Sequence, residues 1–311
     1  MQQPGRPSIL VAGAINTDLV AVVDRAPDAG ETLNGRSFAI YGGGKAANQA
    51  VAIARWGGLV HLVGAVGADD FGAGRVRDLD RDRIGTNWVL RDEQIPSGVA
   101  LIFVEKGGEN RIVCVPGAAL SVTIEHALAA MADIGPSWLL ATNELGVDVL
   151  AELFQAAHAQ GIRVAYNAAP VPETGRELIS LVDILIVNRG EAAALLGQGS
   201  LDASRAAITP LHAAGIEAVV LTLGAEGVFV SSGGRATHVG PPAVEAVDST
   251  GAGDTFCGTL VASLADGESL DVAVTYAVHA SALSVTRPGA QSSIPTREDV
   301  VAHWPDLTNP S

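Results

Sequence analysis

Asp254 closes the run Asp248-Ser249-Thr250-Gly251-Ala252-Gly253-Asp254-Thr255-Phe256, which leads directly into the helical pattern CGTLVASLA. Small residues ahead of a helix, here Gly251, Ala252 and Gly253, let backbone N–H groups approach an anion closely, and the helix N-terminus adds a favourable dipole. A carboxylate at the mouth of such a cradle repels phosphate. It suits instead a general base that takes a proton from an attacking hydroxyl. The four residues GAGD also make an ordinary turn and N-cap, so on their own they leave both readings open.

Other polar residues follow apolar runs. Asn16 and Asp18 come after Ile9 to Ala12; a carboxylate accepts from adjacent hydroxyls and an amide both donates and accepts, which suits a sugar as well as a plain turn. Glu144 follows Trp138 to Ala141, where ligands bind in open α/β sheets, and it also reads as an acid at a helix N-terminus. Asn188 and Glu191 form an NxxE spacing after Ile184 to Val187, which is the pattern of a helix cap. Lys45 is one of 2 lysines against 17 arginines, a compact ammonium where guanidinium is the habit.

The elements that must position these groups alternate in type. Short apolar runs at Ile9 to Ala12, Val60 to Val66, Trp138 to Ala141, Arg163 to Asn167, Ile184 to Val187 and Ala218 to Leu223 suit parallel strands buried on both faces. Helical patterns at Ala46 to Trp56, Val147 to Gln160 and Ala203 to Ala214 each end at a glycine, which relieves the left-handed cap conformation. The expected fold is an α/β doubly wound, mostly parallel sheet flanked by helices, in one domain over residues 1–311. Residues 15–40 and 97–115 break the rhythm. The second reads as two strands around the turn Lys106-Gly107-Gly108-Glu109, and both segments suit either an edge hairpin or a small β-strand lid over a ligand. The tail from Trp304 to Ser311 is expected to be loosely ordered.

Composition narrows the functions. With 34 acidic and 19 basic residues the net charge is -15, which disfavours nucleic acid as a partner. Apolar runs fall short of the roughly 18 residues of a membrane span, and the N-terminus has neither signal-peptide nor anchor pattern, so no membrane partner and a cytoplasmic location are expected. Cys114 and Cys257 form no metal spacing and read as reduced, buried thiols. No two of the seven histidines lie within five residues of each other, which disfavours zinc catalysis. A nicotinamide-binding GxGxxG is missing after the first apolar run, as is a Walker-type GxxxxGK[ST] anywhere in the chain.

The run DSTGAGDTF resembles the C-terminal signature of the ribokinase-like (PfkB) carbohydrate kinases, and Tyr41-Gly42-Gly43-Gly44-Lys45-Ala46-Ala47-Asn48-Gln49-Ala50 resembles their N-terminal glycine motif. The two stand in the expected order, about 200 residues apart, with further matches at Asn16-Thr17-Asp18, Asn188-Arg189-Gly190-Glu191, Thr222-Leu223-Gly224 and Val285-Thr286-Arg287-Pro288-Gly289-Ala290. The resemblance implies an ATP-dependent sugar kinase acting on the primary hydroxyl of D-ribose, with Asp254 as base and Gly251, Ala252 and Gly253 as the anion cradle. It implies sugar contacts at Asn16, Asp18, Gly44, Lys45, Asn48 and Glu144. Asn188 and Glu191 would serve magnesium and phosphate, through water. Thr222, Gly224 and Gly253 would line the phosphate and ribose region of the nucleotide, with His279 beside the adenine. Activating potassium is implied at Asp248, Thr250, Ser284, Arg287, Gly289 and Ser293, and a homodimer through the lid strands.

Two residues depart from the family pattern. Ala46 stands where GGKGAN has glycine, and its methyl group is expected to reshape the sugar side of the pocket. Arg189 stands where glutamate is common, which makes the metal motif less acidic. Fructose, 2-keto-3-deoxygluconate and adenosine remain alternative substrates, although aromatic residues at 4% of the chain argue against a base-stacking nucleoside pocket. A catalytically dead sugar sensor is the other alternative, against which the intact Asp254 and its cradle speak.

Overall fold

The first strand shows how the chain divides its apolar residues. In β1 (Ser8–Ala12), Ile9 and Val11 join the core on one side of the sheet, while Leu10 and Ala12 join the core on the other. Alternation along a strand sends neighbours to opposite faces, so a strand covered on both faces must be apolar throughout.

The computed structural model describes residues 7–106, 109–171, 176–198, 205–213 and 215–308. After β1 come β2 (Asn16–Val22), β3 (Ser37–Gly43), α1 (Lys45–Trp56), β4 (Leu59–Gly67), α2 (Asp70–Arg81) and β5 (Val89–Asp92). Then follow β6 (Gly98–Val104), β7 (Asn110–Val115), α3 (Ile124–Ile134), β8 (Trp138–Thr142), α4 (Val147–Ala159), β9 (Arg163–Asn167), β10 (Ile184–Asn188) and α5 (Arg189–Leu195). The chain continues with α6 (Arg205–His212), β11 (Ala218–Thr222), β12 (Val228–Ser232), β13 (Arg235–Val239), α7 (Ala252–Ala265), α8 (Leu270–Ser284) and α9 (Arg297–His303).

The main sheet runs β13-β12-β11-β10-β9-β8-β1-β4-β5, parallel from β11 to β5 with an antiparallel β12–β13 edge. Helices α1, α7 and α8 cover one face, and α3, α4 and α5 the other. From β1 the chain pairs with β4 on one side and β8 on the other, so a crevice opens at the carboxyl ends of these strands. A second sheet, β3-β2-β6-β7, stands apart from the first. Its inner face carries Asp18, Tyr41, Ala100 and Cys114 in register, and its outer face carries Leu19, Ile40, Leu101 and Val113.

Several expectations change. The strand β3 runs to Gly43, so Gly42 and Gly43 pair with Thr17 and Asn16 as strand residues and the glycine motif begins inside the second sheet. Within the expected turn, Gly107 and Gly108 lie outside the described residues, as do Ala203 and Ala214 at the ends of the third helical pattern; Glu105 N–H donates to the Glu109 carbonyl across that turn. The tail is anchored as far as it is described: the Trp304 ring lies 5.0 Å from that of His279, and Leu307 packs against the core. Residues 309–311 lie outside the described set. Cys257 is buried, but Cys114 is exposed, on β7 at the edge of the second sheet.

One close crossing sets the position of the chemistry-bearing helices. A Cβ on Gly258 of α7 would collide with the Gln49 carbonyl oxygen of α1 and stand 2.6 Å from Ala52 Cβ. Gly258→Ala therefore wedges α1 from α7 and is expected to lower stability by about 1–3 kcal/mol, read as a lower urea midpoint at unchanged m value. An unchanged midpoint would show that the crossing tolerates a methyl group.

Candidate active site

Asp254 sits in the first turn of α7, whose N-cap Gly251 adopts φ 76°. Its buried carboxylate is held on both oxygens: Asn48 Nδ2 donates to Oδ2 at 2.9 Å, and Gln49 Nε2 donates to Oδ1 at 3.1 Å. Gln49 Nε2 also donates to Asn167 Oδ1 at 3.0 Å, and Asn167 Nδ2 to the Ile186 carbonyl at 3.1 Å. Burial raises the pKa of Asp254 above the ordinary carboxylate range, against the opposing effects of Lys45 and the two amides. A carboxylate so raised is a better proton acceptor. Of the cradle amides, Ala252 N–H is engaged by the Ser249 carbonyl at 3.2 Å; those of Gly253 and Asp254 have no acceptor among the described residues. Sequence reasoning missed Gln49 and Asn167. Lys45, Asn48 and Gln49 at i, i+3 and i+4 share a helix face, which was the available signal for the first.

Asp18 and Asn16 bring the second sheet to the same place. Asp18 is buried, and burial, followed by the nearby charge of Asp254, pushes its pKa up to about 6. Lys45 has its pKa raised first by the charge of Asp254, so its ammonium stays charged. A side chain on Gly43 would run into the Asp18 carboxylate, so glycine here leaves that carboxylate its place. Three side-chain oxygens here are buried without a partner among the described residues, Asn16 Oδ1, Asn48 Oδ1 and Gln49 Oε1. Buried polar atoms are almost always satisfied, so such a cluster suits a ligand that donates. Tyr41, paired with Asp18 in register, puts an aromatic residue on the same face, which the composition argument overlooked.

Glu144 has a structural duty in addition to any sugar contact. Its Oε2 accepts from Ala14 N–H at 3.1 Å, Ala46 N–H at 3.1 Å and Thr142 Oγ1 at 2.8 Å, and its Oε1 accepts from Lys45 N–H at 3.0 Å. Gly44 caps α1 at φ 89° with no side chain to offer, so the carboxylate from beyond β8 satisfies the first helical amides. Burial raises the pKa of Glu144 while these donors pull it down. The Ala46 methyl group is fully buried in the core and faces Gly13, where a Cβ would stand 2.5 Å from it. The methyl is thus packed against the strand-end glycine, Thr142 and Glu144 rather than left open.

Two adjoining cavities meet at Thr222 and Gly253. A smaller one of about 160 Å³ is lined by Lys45, Asn188, Glu191, Gly251, Asp254 and Cys257. A larger one of about 580 Å³ is lined by Gly224, Pro241, Phe256, Val278, Ala282 and Val285, an apolar slot of small-molecule size. His279 does not line it: its Nδ1 lies 2.8 Å from the Thr275 carbonyl and its ring packs on Trp304, one position round the helix from Val278. Asn188 and Glu191 close a capping box, with Glu191 N–H donating to Asn188 Oδ1 at 2.8 Å and Asn188 N–H to Glu191 Oε2 at 2.7 Å. Burial raises the Glu191 pKa. Arg189 turns aside to pair with Glu226 at 3.0 Å. Among the described residues no three His, Cys, Asp or Glu side chains are grouped to hold a metal ion.

Asp248 ties the remaining residues together. Its Oδ1 accepts from Thr250 N–H at 2.9 Å and Thr250 Oγ1 at 2.7 Å, and its Oδ2 from Gly289 N–H at 2.8 Å. Burial opposes these bonds, yet they hold its pKa below the usual value. Arg287 N–H donates to the Ser284 carbonyl at 3.1 Å and Ser293 Oγ to the Ala290 carbonyl at 2.8 Å, so the two loops are folded beside the cradle.

Residues 6–297 match the pfkB family carbohydrate kinase profile. The chain is 38% identical over 302 residues to the ribokinase of Haemophilus influenzae, covering 95% of this chain and 98% of the relative. The ribokinase structure from Thermotoga maritima superposes with a TM-score of 0.87 at 32% identity, covering 95% and 98%. The Arabidopsis thaliana ribokinase complexed with ribose and ATP superposes with a TM-score of 0.86 at 26% identity, covering 98% and 100%.

The coupling of the two buried carboxylates can be read directly. Carboxyl-carbon NMR is expected to show Asp18 titrating at about 6, and Asp254→Asn to lower that midpoint because it removes the neighbouring negative charge. A midpoint near 4 in the unsubstituted protein, or no movement in the variant, would separate the two groups electrostatically.

Proposed function

Because this chain belongs to the pfkB family of carbohydrate kinases, we propose that it transfers the γ-phosphoryl group of ATP to the primary hydroxyl of D-ribose, giving ribose 5-phosphate and ADP. The observation that carries the choice of a polyol is the set of buried, unpartnered acceptors, Asn16 Oδ1, Asn48 Oδ1 and Gln49 Oε1, beside Asp18 and Asp254. Sugar hydroxyls supply the donors those atoms lack.

In this reading ribose lies between the second sheet and α1, with Asp18 accepting from its ring hydroxyls. Its primary hydroxyl faces Asp254, which takes the proton as the oxygen attacks phosphorus. Asn48 and Gln49 fix the carboxylate so that its orientation is settled before the sugar arrives. The free amides of Gly253 and Asp254 and the ammonium of Lys45 stabilise charge on the transferred group. ATP occupies the larger cavity with its adenine among Val278, Ala282 and Val285 and its phosphates toward Thr222 and Gly253. Magnesium fits the smaller cavity through water, since Asn188 and Glu191 line it while Asn188 Oδ1 and Glu191 Oε2 each accept from the other's backbone N–H. When bound it neutralises charge on the terminal phosphates. Potassium fits the carbonyl-rich loops that Asp248 ties beside the cradle. The cytoplasm, where ATP is plentiful, is the compartment this chemistry needs.

Coupled ADP release with MgATP and ribose tests this directly. Asp254→Asn is expected to keep sugar binding and lose turnover by about three orders of magnitude or more, and replacing potassium by sodium to slow the rate. Substantial turnover in the variant would remove Asp254 as base, and faster turnover of fructose, 2-keto-3-deoxygluconate or adenosine would replace ribose.

The homodimer reading rests on the outer face of the second sheet, where Phe38 is 63% and Val113 58% exposed beside Ile40, Leu101 and Val115. Light scattering is expected to give twice the chain mass, and Phe38→Asp to give monomers. A monomeric unsubstituted protein at micromolar concentration would discard the pairing.

A further inference from the structure

The inner face of the second sheet holds a thiol that the chemistry above does not use. Cys114 of β7 stands opposite Ala100 of β6, which stands opposite Asp18 of β2, so the three side chains share one face. Asn16 Nδ2 donates to Cys114 Sγ at 3.8 Å, while Oδ1 of the same amide has no partner and Asn16 is only 4% exposed. Cys114 is free and exposed, and the charges of Glu144, Asp18 and Lys45 all act on its thiol. An accessible sulfur thus touches a buried, half-satisfied amide whose free oxygen lies over Gly98, on the face that also carries Asp18. Cys257 is buried, 2% exposed, in the wall of the smaller cavity, on a different element from the second sheet.

We propose that Cys114 is a covalent modification site on the wall of the sugar pocket, open to small disulfides, whose attachment excludes the sugar and from which bound sugar excludes the reagent. The proposal rests on the reading of Asn16 and Asp18 as sugar contacts. The Cys114 thiolate attacks one sulfur of the disulfide, a new S–S bond forms, the old one breaks, its other sulfur leaves as a thiolate, and the Cys114 proton passes to water. The attached group then fills the space beside Asn16. Burial, with the charges of Glu144 and Asp18, raises the thiol's pKa, so the thiol is protonated near neutrality and reacts faster as pH rises. An excess of a small thiol reverses the step.

The test uses the full-length protein with 2-hydroxyethyl disulfide, following ADP release and the masses of the Cys-containing peptides. Expected is one mercaptoethanol adduct on Cys114, a rise in sugar KM of about tenfold or more with ATP KM little changed, and recovery with dithiothreitol. The sugar that the untreated enzyme turns over fastest is expected to slow labelling about tenfold at saturation, whereas ATP alone does not. Cys114→Ser, compared with its own untreated rate, is expected to resist the reagent. Labelling of Cys114 that leaves sugar KM unchanged, labelling that sugar does not slow, labelling confined to Cys257, or equal inhibition of Cys114→Ser would each overturn the proposal. A protein that turns over no sugar overturns the kinase reading instead, and protection of the label by sugar still decides whether Cys114 borders the pocket.

Discussion

The burial of one carboxylate governs this molecule. Asp254 is enclosed at the start of α7, and a charge so placed survives only where hydrogen bonds and a neighbouring cation replace water. Asn48 and Gln49 supply the bonds and Lys45 the charge, and all three come from the first turns of α1. The two helices must therefore touch near their N-terminal ends. Gly258 provides that contact, because any larger residue holds α1 away from α7.

The same helix start is supported from a distant part of the chain. The carboxylate of Glu144 receives the amides of Lys45, Ala46 and Ala14, so the junctions after β1, β3 and β8 are locked by one side chain. On the opposite flank, Arg55 near the end of α1 bonds Asp82 and the carbonyls of Gln291 and Ile294, drawing in the loop that follows α8. The helix that carries the amides is thus fixed at both ends by residues far away in sequence.

The main sheet was legible because strands buried on both faces are apolar without interruption, and the glycines at 57, 161 and 215 mark where helices stop. The helix start within Asp248 to Phe256 was legible because small residues ahead of a helical pattern have a distinctive physical use. What escaped was mostly a matter of partners. Glu144 could be placed at a strand end, but which helix its carboxylate caps depends on tertiary packing. Gly42 and Gly43 are strand residues although glycine is a poor strand former; a side chain on Gly43 would run into the Asp18 carboxylate and one on Gly42 into the Gln291 side chain. Asn167 ends an apolar run, and nothing in that run says that its amide meets Gln49 from α1. For Ala46, likewise, the run of residues around it does not say that its methyl packs beside Gly13.

Two glycines on α7 answer to different demands. Gly258 is hemmed in by α1, whereas nothing lies within 4 Å of where a Cβ on Gly253 would be, at the junction of the two cavities. Natural variation at the two positions should therefore be filtered by different agents. A residue larger than glycine at 258 burdens the cell with poorly folded chain that chaperones and proteases remove. A larger residue at 253 meets no such packing barrier, so its side chain would stand at the junction of the two cavities in a chain that still folds.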